Sequence, residues 1–296
     1  MNIRDLKYLV ALAEYRHFGK AAQACHVSQP GLSMQIKKLE NILGLQLIER
    51  TNKLALLTEH GQTIAKQASS ILNQVDEMFA FAQSVKDPFM GELRVGIIPT
   101  LAPYLLPHIM PPLIKAFPNV SFYLIEEQTA VLVEKLQHAK IHAAILAMPI
   151  SESHFSSAIL FEEEFLLAVP KQHAFTKHKT IKQLDLVGKN LLLLAEGHCL
   201  REQALALCEK MHATETHGFQ ATSLETLRHM VAAGVGMTLM PKLACKTTNR
   251  VSYIPFSAPK PKRTIGLYWR SGTAKQPLFV EIAKKLRSTM PEAFHF

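Results

Sequence analysis

FGKAAQACHVSQPGLSMQIKKLENILGLQLIERT, residues 18–51, reads as two short helices, a tight turn and a basic hairpin. On the first helix Phe18, Ala21, Ala22 and Cys25 recur at the spacing of one buried face, which makes Cys25 a core-packing residue. Ser28 is a good N-cap, with Pro30 just inside the helix start. The second helix then buries Leu32, Ile36, Leu39 and Leu43 and leaves Pro30, Ser33, Met34 and Lys37 outward. This is the plan of a helix-turn-helix, whose second helix can enter a DNA major groove. LGLQLIERTNKLALLT follows, with apolar residues alternating about a basic turn. That pattern predicts a β-wing, in which Arg50 and Lys53 can reach phosphates. Ahead of the stretch, Leu6, Leu9, Val10, Leu12 and Ala13 predict a further helix over residues 3–15.

From Thr58 the chain runs about 29 residues without proline, a helix by its periodicity. Ile64, Ala68, Ile71, Val75, Met78, Ala82 and Val85 alternate by four and three, and Leu72 and Phe79 widen the seam. A heptad seam calls for a partner helix, most simply from a second copy; the competing reading packs it on the chain's own next domain. Asp87, Pro88 and Gly91 then mark a hinge. Beyond it, strand-like runs at 93–100, 120–129 and the stretch HAAILAM alternate with helical ones, a βαβαβ order that implies a parallel sheet. Further strands are predicted at 165–170, 190–195, 236–241 and 264–269, with helices near 200–211 and 222–234 and one closing the chain. The expected organisation is a DNA-binding domain at 1–58, a linker helix and hinge at 59–90, and a two-lobed α/β domain at 91–296.

With 296 residues, 48% hydrophobic and 19% charged, the chain is expected to fold as a globular protein of two or more domains. Asp5 and Lys7 interrupt the first apolar run, and no apolar stretch is long enough to span a membrane, so the expected location is the cytoplasm. The net charge of +9 permits a nucleic-acid partner without proving one. Residues 1–57 carry eight Lys/Arg against four Asp/Glu, and residues 258–296 eight against two, so DNA binding has to rest on motif. No Ser/His/Asp spacing, phosphate loop, zinc motif or carboxylate pair stands out, which argues against an enzyme and gives no metal or cofactor.

The helix-turn-helix stretch closely resembles that of the LysR-type transcriptional regulators. Ala21, Ala22, Ser28, Gln29, Pro30, Ser33, Ile36, Leu39, Glu40, Gly44, Leu47 and Arg50 all fall at the family's spacing. Gly31 departs from the more usual Ala or Thr. The resemblance implies double-stranded DNA as partner, contacted through Gln29, Pro30, Ser33, Lys37, Arg50 and Lys53. It also implies a winged helix-turn-helix, a linker helix that forms a homodimer, a homotetramer beyond it, RNA polymerase as a protein partner, and a periplasmic-binding-protein-like α/β regulatory domain.

Four cysteines, at 25, 199, 208 and 245, are too few for a disulfide framework. GHCLREQALALC, residues 197–208, places two of them on a helical segment. Nine helical residues separate them by roughly 13 Å on opposite faces. A disulfide needs Cα atoms roughly 4.4–6.8 Å apart, so an intact helix forbids the bond. Cys199 opens the helix beside His198 and Arg201, and helix N-termini and cations favour the reactive thiolate. This segment resembles the redox segment of the family's hydrogen-peroxide-sensing members. The likeness extends from MNIRDLKYLVALAE through IPTLAPYLLPHIMP and ATSLETLRHMVAAG to RTIGLYWR. It implies Cys199 as the peroxide-reactive thiol, Cys208 as its resolving partner, and Thr100, Thr129 and His198 around the peroxide. Glu202 stands where Asp is common, HGF at 217–219 departs from the pattern, and Cys245 matches no motif. Read alone, the two threonines are plain helix caps. The competing functions are a regulator answering a small metabolite near Thr100 and Thr129, and a thiol peroxidase.

Overall fold

Asn2 and Asp5 start the first helix by capping each other: the Asp5 amide donates to Asn2 Oδ1 at 3.0 Å and the Asn2 amide to Asp5 Oδ2 at 2.8 Å. The computed structural model describes residues 1–50, 55–84, 89–150, 154–211, 214–215, 221–246 and 248–290. Lys53, Val85, Asp87, Pro88 and residues 217–219 lie outside the described residues, as do the side chains of Arg50, Leu207 and Cys208. The chain divides into two units, Met1–Lys86 and Asp87–Phe296.

In the first unit, α1 (Ile3–Tyr15), α2 (Phe18–Ala24) and α3 (Gln29–Leu43) precede the antiparallel hairpin β1 (Ile48–Arg50) and β2 (Ala55–Leu57), and α4 (Glu59–Ser84) follows. Ser28 caps α3 as expected, its Oγ accepting from the Gly31 amide, and Gly44 ends that helix in the left-handed region at φ 66°. Leu9, Leu12, Ala21, Leu32, Ile36, Leu39, Leu47 and Ile48 share one buried core, with Cys25 packed at its margin. Burial raises the Cys25 thiol pKa, in keeping with a packing role. Gly61 is required by proximity: a Cβ there would lie 2.0 Å from the Leu47 carbonyl oxygen, so only glycine lets α4 pass the wing.

The second unit is built on one seven-stranded sheet. β3 (Gly91–Ile97), β4 (Val120–Glu126) and β5 (Ala143–Ala147) are parallel in the order β4-β3-β5, joined by α5 (Ala102–Ala116) and α6 (Thr129–Gln137). The expected parallel core is therefore present. The chain then enters β6 (Phe155–Pro170), sixteen residues long. Its first part pairs with β11 (Lys262–Arg270); its last residues pair with β9 (Thr238–Pro241) on one edge and β10 (Val251–Pro255) on the other. β7 (Asn190–Leu191), α7 (Cys199–Met211), β8 (Thr214–Glu215) and α8 (Leu224–Ala232) complete the second lobe, while α9 (Gln276–Thr289) returns to the first. Each lobe keeps its own core: Phe161, Trp269 and Phe279 belong to the first, Leu192, Leu227 and Met240 to the second.

Four sequence expectations need correction. The strand predicted over 165–170 is the end of a much longer one, whose first half was hidden by Glu162, Glu163 and Glu164. Those charges are matched across the sheet by Lys260, Lys262 and Arg263, which makes a polar run compatible with a strand. The run 190–195 forms a ladder only at Asn190–Leu191. Leu192, Leu193 and Leu194 are buried as an irregular segment, satisfied by bonds such as Leu192 N–H to the Met237 carbonyl at 2.8 Å. β10 was not expected at all, being short and ending in proline. The strand expected over 120–129 stops at Glu126, so Thr129 is the first residue of α6 and does not end a strand.

Candidate functional site

β3 and β4 run parallel in a register that pairs Ile97 with Glu126, and the Glu127 amide donates to the Ile97 carbonyl. Thr100 and Thr129 lie three residues beyond these partners, at matching places past the carboxyl ends of neighbouring strands. Such ends are where open α/β sheets hold ligands. Thr100 is 3% exposed; its Oγ1 accepts from Arg263 Nη1 at 3.1 Å and its carbonyl from Nη2 at 3.2 Å. Thr129 Oγ1 is buried with no hydrogen-bond partner among the described residues.

α6 meets the segment that leads to Cys199. Gln128 Nε2 donates to the Glu196 carbonyl at 3.4 Å. Gly197, with φ 86°, lies so close that an added Cβ would sit 2.4 Å from Gln128 Oε1. Glycine is needed there twice over, for the left-handed backbone and for the close approach. His198 follows, 6% exposed, its pKa lowered by burial, so the ring is a neutral imidazole. Cys199 is half-buried at the start of α7 and packs against the core of the other lobe. One turn on, Gln203 Oε1 is a second buried oxygen without a partner among the described residues.

Of the two cations expected beside Cys199, only His198 needs revision. His198 is neutral by burial, and Arg201 Nη1 donates to the Leu194 carbonyl at 3.0 Å. A fixed cation also stands behind Thr100. Arg263 and Glu163 are register partners across β11 and β6, both side chains fully buried, joined at 2.7 Å. Glu163 Oε1 also takes the Leu243 amide at 2.8 Å, so the pair ties the Thr100 turn to the crossing of the two lobes. Sequence reading missed Arg263, Glu163 and Gln203; the only available signal was charge placed opposite charge in two strands about a hundred residues apart. α7 covers Cys199 to Met211 without a break, so the two cysteines stand on one intact helix. Cys245 is separate from them: its Sγ donates to the Pro241 carbonyl, and burial pushes its pKa to about 12.

On α3, Gln29, Pro30 and Lys37 are exposed, Ser33 half-exposed and Met34 65% exposed, a continuous outward face. Glu40 Oε1 accepts from the amides of Leu47 at 2.8 Å and Ile48 at 3.1 Å, locking the wing to this helix. Arg50 closes β1. On α4, Ala68 is buried, whereas Ile71, Met78 and Phe79 are 41%, 71% and 68% exposed. No helix among the described residues is long and apolar enough to cross a membrane, and no cluster of metal-ligating side chains occurs among them.

Comparison with known proteins adds three findings. Residues 3–62 match the family described as "Bacterial regulatory helix-turn-helix protein, lysR family", and residues 86–291 the "LysR substrate binding domain". The chain is 45% identical, over 99% of its length and 97% of the relative's, to the DNA-binding transcriptional dual regulator OxyR of Escherichia coli K12. Among solved structures it is similar to a full-length OxyR variant from Pseudomonas aeruginosa, with a TM-score of 0.78, 37% identity and coverage of 98% and 99% of the two chains. It is also similar to the oxidised form of OxyR, with a TM-score of 0.65, 42% identity and coverage of 70% and 99%.

Proposed function

The chain belongs to the LysR family of bacterial transcriptional regulators, and from that premise we propose that it senses hydrogen peroxide through Cys199 and Cys208. The observation that carries this reading is the orphaned Thr129 hydroxyl at the first turn of α6, next to Gln128, which meets the segment that presents His198 and Cys199. A buried hydroxyl without a partner is costly unless a small polar molecule completes it. Peroxide supplies two donors and four lone pairs, enough to bridge Thr129, Thr100 and the neutral His198 ring. The relatives named for hydrogen-peroxide-inducible genes support the same ligand.

The chemistry takes two steps. The Cys199 thiolate attacks one peroxide oxygen; the O–O bond breaks and hydroxide leaves, giving a sulfenic acid. The Cys208 thiol then displaces water from that sulfur and forms the disulfide. The two Cα atoms start roughly 13 Å apart on one helix, so α7 must unwind before the second step. The altered lobe would re-space two DNA-binding heads, which the exposed α4 seam joins as a homodimer. Gln29, Pro30 and Ser33 face the major groove, while Lys37, Arg50 and Lys53 hold phosphates. Tetramer formation, contact with RNA polymerase and a cytoplasmic location complete the proposal.

Thiol mass spectrometry on the pure protein, with and without one equivalent of peroxide, tests it. The expected result is one disulfide per chain between Cys199 and Cys208 and no turnover beyond it. Unchanged thiols would favour a metabolite-binding regulator, and repeated turnover with a dithiol reductant would favour a peroxidase.

A further inference from the structure

Segments 171–184 and 242–262 carry nine Lys/Arg and no Asp or Glu, and the sensing reading leaves them unexplained. They meet at β10. A cleft of about 350 Å³ runs along this strand, lined on one side by all five of its residues, Val251 to Pro255. Thr176, His178 and Lys179 line it as well, with Thr248 and Lys171 near the Val251 end, where the Lys171 amide continues the β6 pairing by donating to the Arg250 carbonyl at 2.9 Å. No carboxylate lines it. Lys171, His178 and Lys179 are exposed, and no ion pair engages either lysine among the described residues.

The backbone of β10 adds directionality. Its inner edge pairs with β6, and along a strand the peptide groups of successive residues face alternate edges. The Pro255 carbonyl faces the outer edge, where it accepts the Ile181 amide at 3.1 Å. Val251 N–H, four residues earlier, is taken by Thr248 Oγ1 at 3.0 Å. Between them Tyr253 therefore turns its N–H and C=O outward into the cleft. Its side chain is pinned from behind, the hydroxyl accepting from Arg228 Nε at 3.0 Å. An open strand edge is ordinarily protected by charges on the strand itself. β10 has none; the charged side chains beside it come from the cleft lining, Lys179 from the 171–184 segment and Lys171 from the end of β6.

We propose that this edge of β10 docks an extended acidic peptide segment of a partner protein. The segment would add a strand at Tyr253 and set its carboxylates against Lys171, His178 and Lys179, the backbone giving direction and the cations selecting charge.

The test uses the full-length reduced protein and a fluorescent, acetylated octapeptide of alternating glutamate and threonine. Anisotropy should show saturable binding that falls about tenfold or more when glutamine replaces glutamate, or in the Lys171→Glu/Lys179→Glu double variant. Operator binding and melting temperature of that variant should be unchanged. The same peptide with alternate backbone amides N-methylated should lose binding, and amide exchange at Tyr253 should slow only with the unmethylated form. Equal binding of the N-methylated peptide would overturn the proposal, since the cleft would then be a mere cationic surface. So would a non-operator DNA duplex that displaces the peptide and binds more weakly to the double variant, which would assign the cleft to nucleic acid. Absence of saturable binding would overturn it outright.

Discussion

His142 shows how one residue's surroundings set a pH response. It is largely buried, its Nδ1 accepts the Arg94 amide at 2.9 Å, and Lys275, Arg94 and Arg270 stand nearby. Burial first, then the three cations, push its pKa down to about 3. The unfolded chain takes up this proton near pH 6.5 and the folded one only near 3. The contribution to stability is therefore complete above 6.5 and is lost as pH falls towards 3. Between pH 6.5 and 5 the loss is about 2 kcal/mol, at about 1.4 kcal/mol per unit. Denaturant titrations of the wild type and His142→Asn should differ in slope over that window, the variant being flatter. At the proposed sensing site, Cys199→Ser should abolish the peroxide response while leaving fold and operator binding intact; Cys208→Ser should trap the sulfenic acid, detected by a dimedone-type probe. Thr129→Val should slow oxidation without shifting the melting point, because the hydroxyl it removes has no protein partner to lose. Thr100, Thr129, His198, Cys199 and Cys208 were expected at this site through the family resemblance, although read alone the two threonines are plain helix caps. Arg263 and Glu163 were not, since only the fold brings residues a hundred apart into register.

Among elements, legibility followed periodicity. The helices α1, α3 and α4 declared themselves by apolar spacing, and β5 by a continuous apolar run. β10 did not, being short and ending in proline, and neither did the first half of β6, whose charges are matched by neighbours that no local window contains. The segment 192–194 misled in the other direction: burial on all sides makes leucines, whether or not a ladder forms. α7 is the element on which the sensing proposal turns. Hydrogen exchange across 197–212 should show protected amides in the reduced protein and a loss of protection once the disulfide forms. Equal protection in both states, with the disulfide confirmed by mass, would rule out remodelling of this helix. On the wing, Arg50→Ala should weaken binding to every sequence and lower the salt slope by about one, as expected for one phosphate contact.

For the molecule as a whole, α4 divides its labour along its length. Its first turns are buried in the DNA-binding unit through Ala65 and Ala68, and its later turns expose Ile71, Met78 and Phe79. Single exposed apolar residues are ordinary, but this run at heptad spacing is the proposed dimer seam. Met78→Glu with Phe79→Glu should shift sedimentation from dimer to monomer and cost most of the operator affinity. A monomer that bound a full operator normally would sink that assembly.

β6 has a further consequence. It contributes hydrogen bonds to both lobes along one unbroken strand, and β11 pairs with it beside the crossing. The first lobe cannot therefore be excised as a contiguous length of chain, because β11 and α9, which complete it, follow the whole second lobe in sequence, and the second lobe cannot be removed without cutting β6. A protease that nicks a surface loop should leave two fragments held together until both lobes melt. Calorimetry of the isolated 87–296 fragment, if it folds, should give a single endotherm whose calorimetric and van't Hoff enthalpies agree. What looks like two lobes to a ligand is, to heat, one indivisible body.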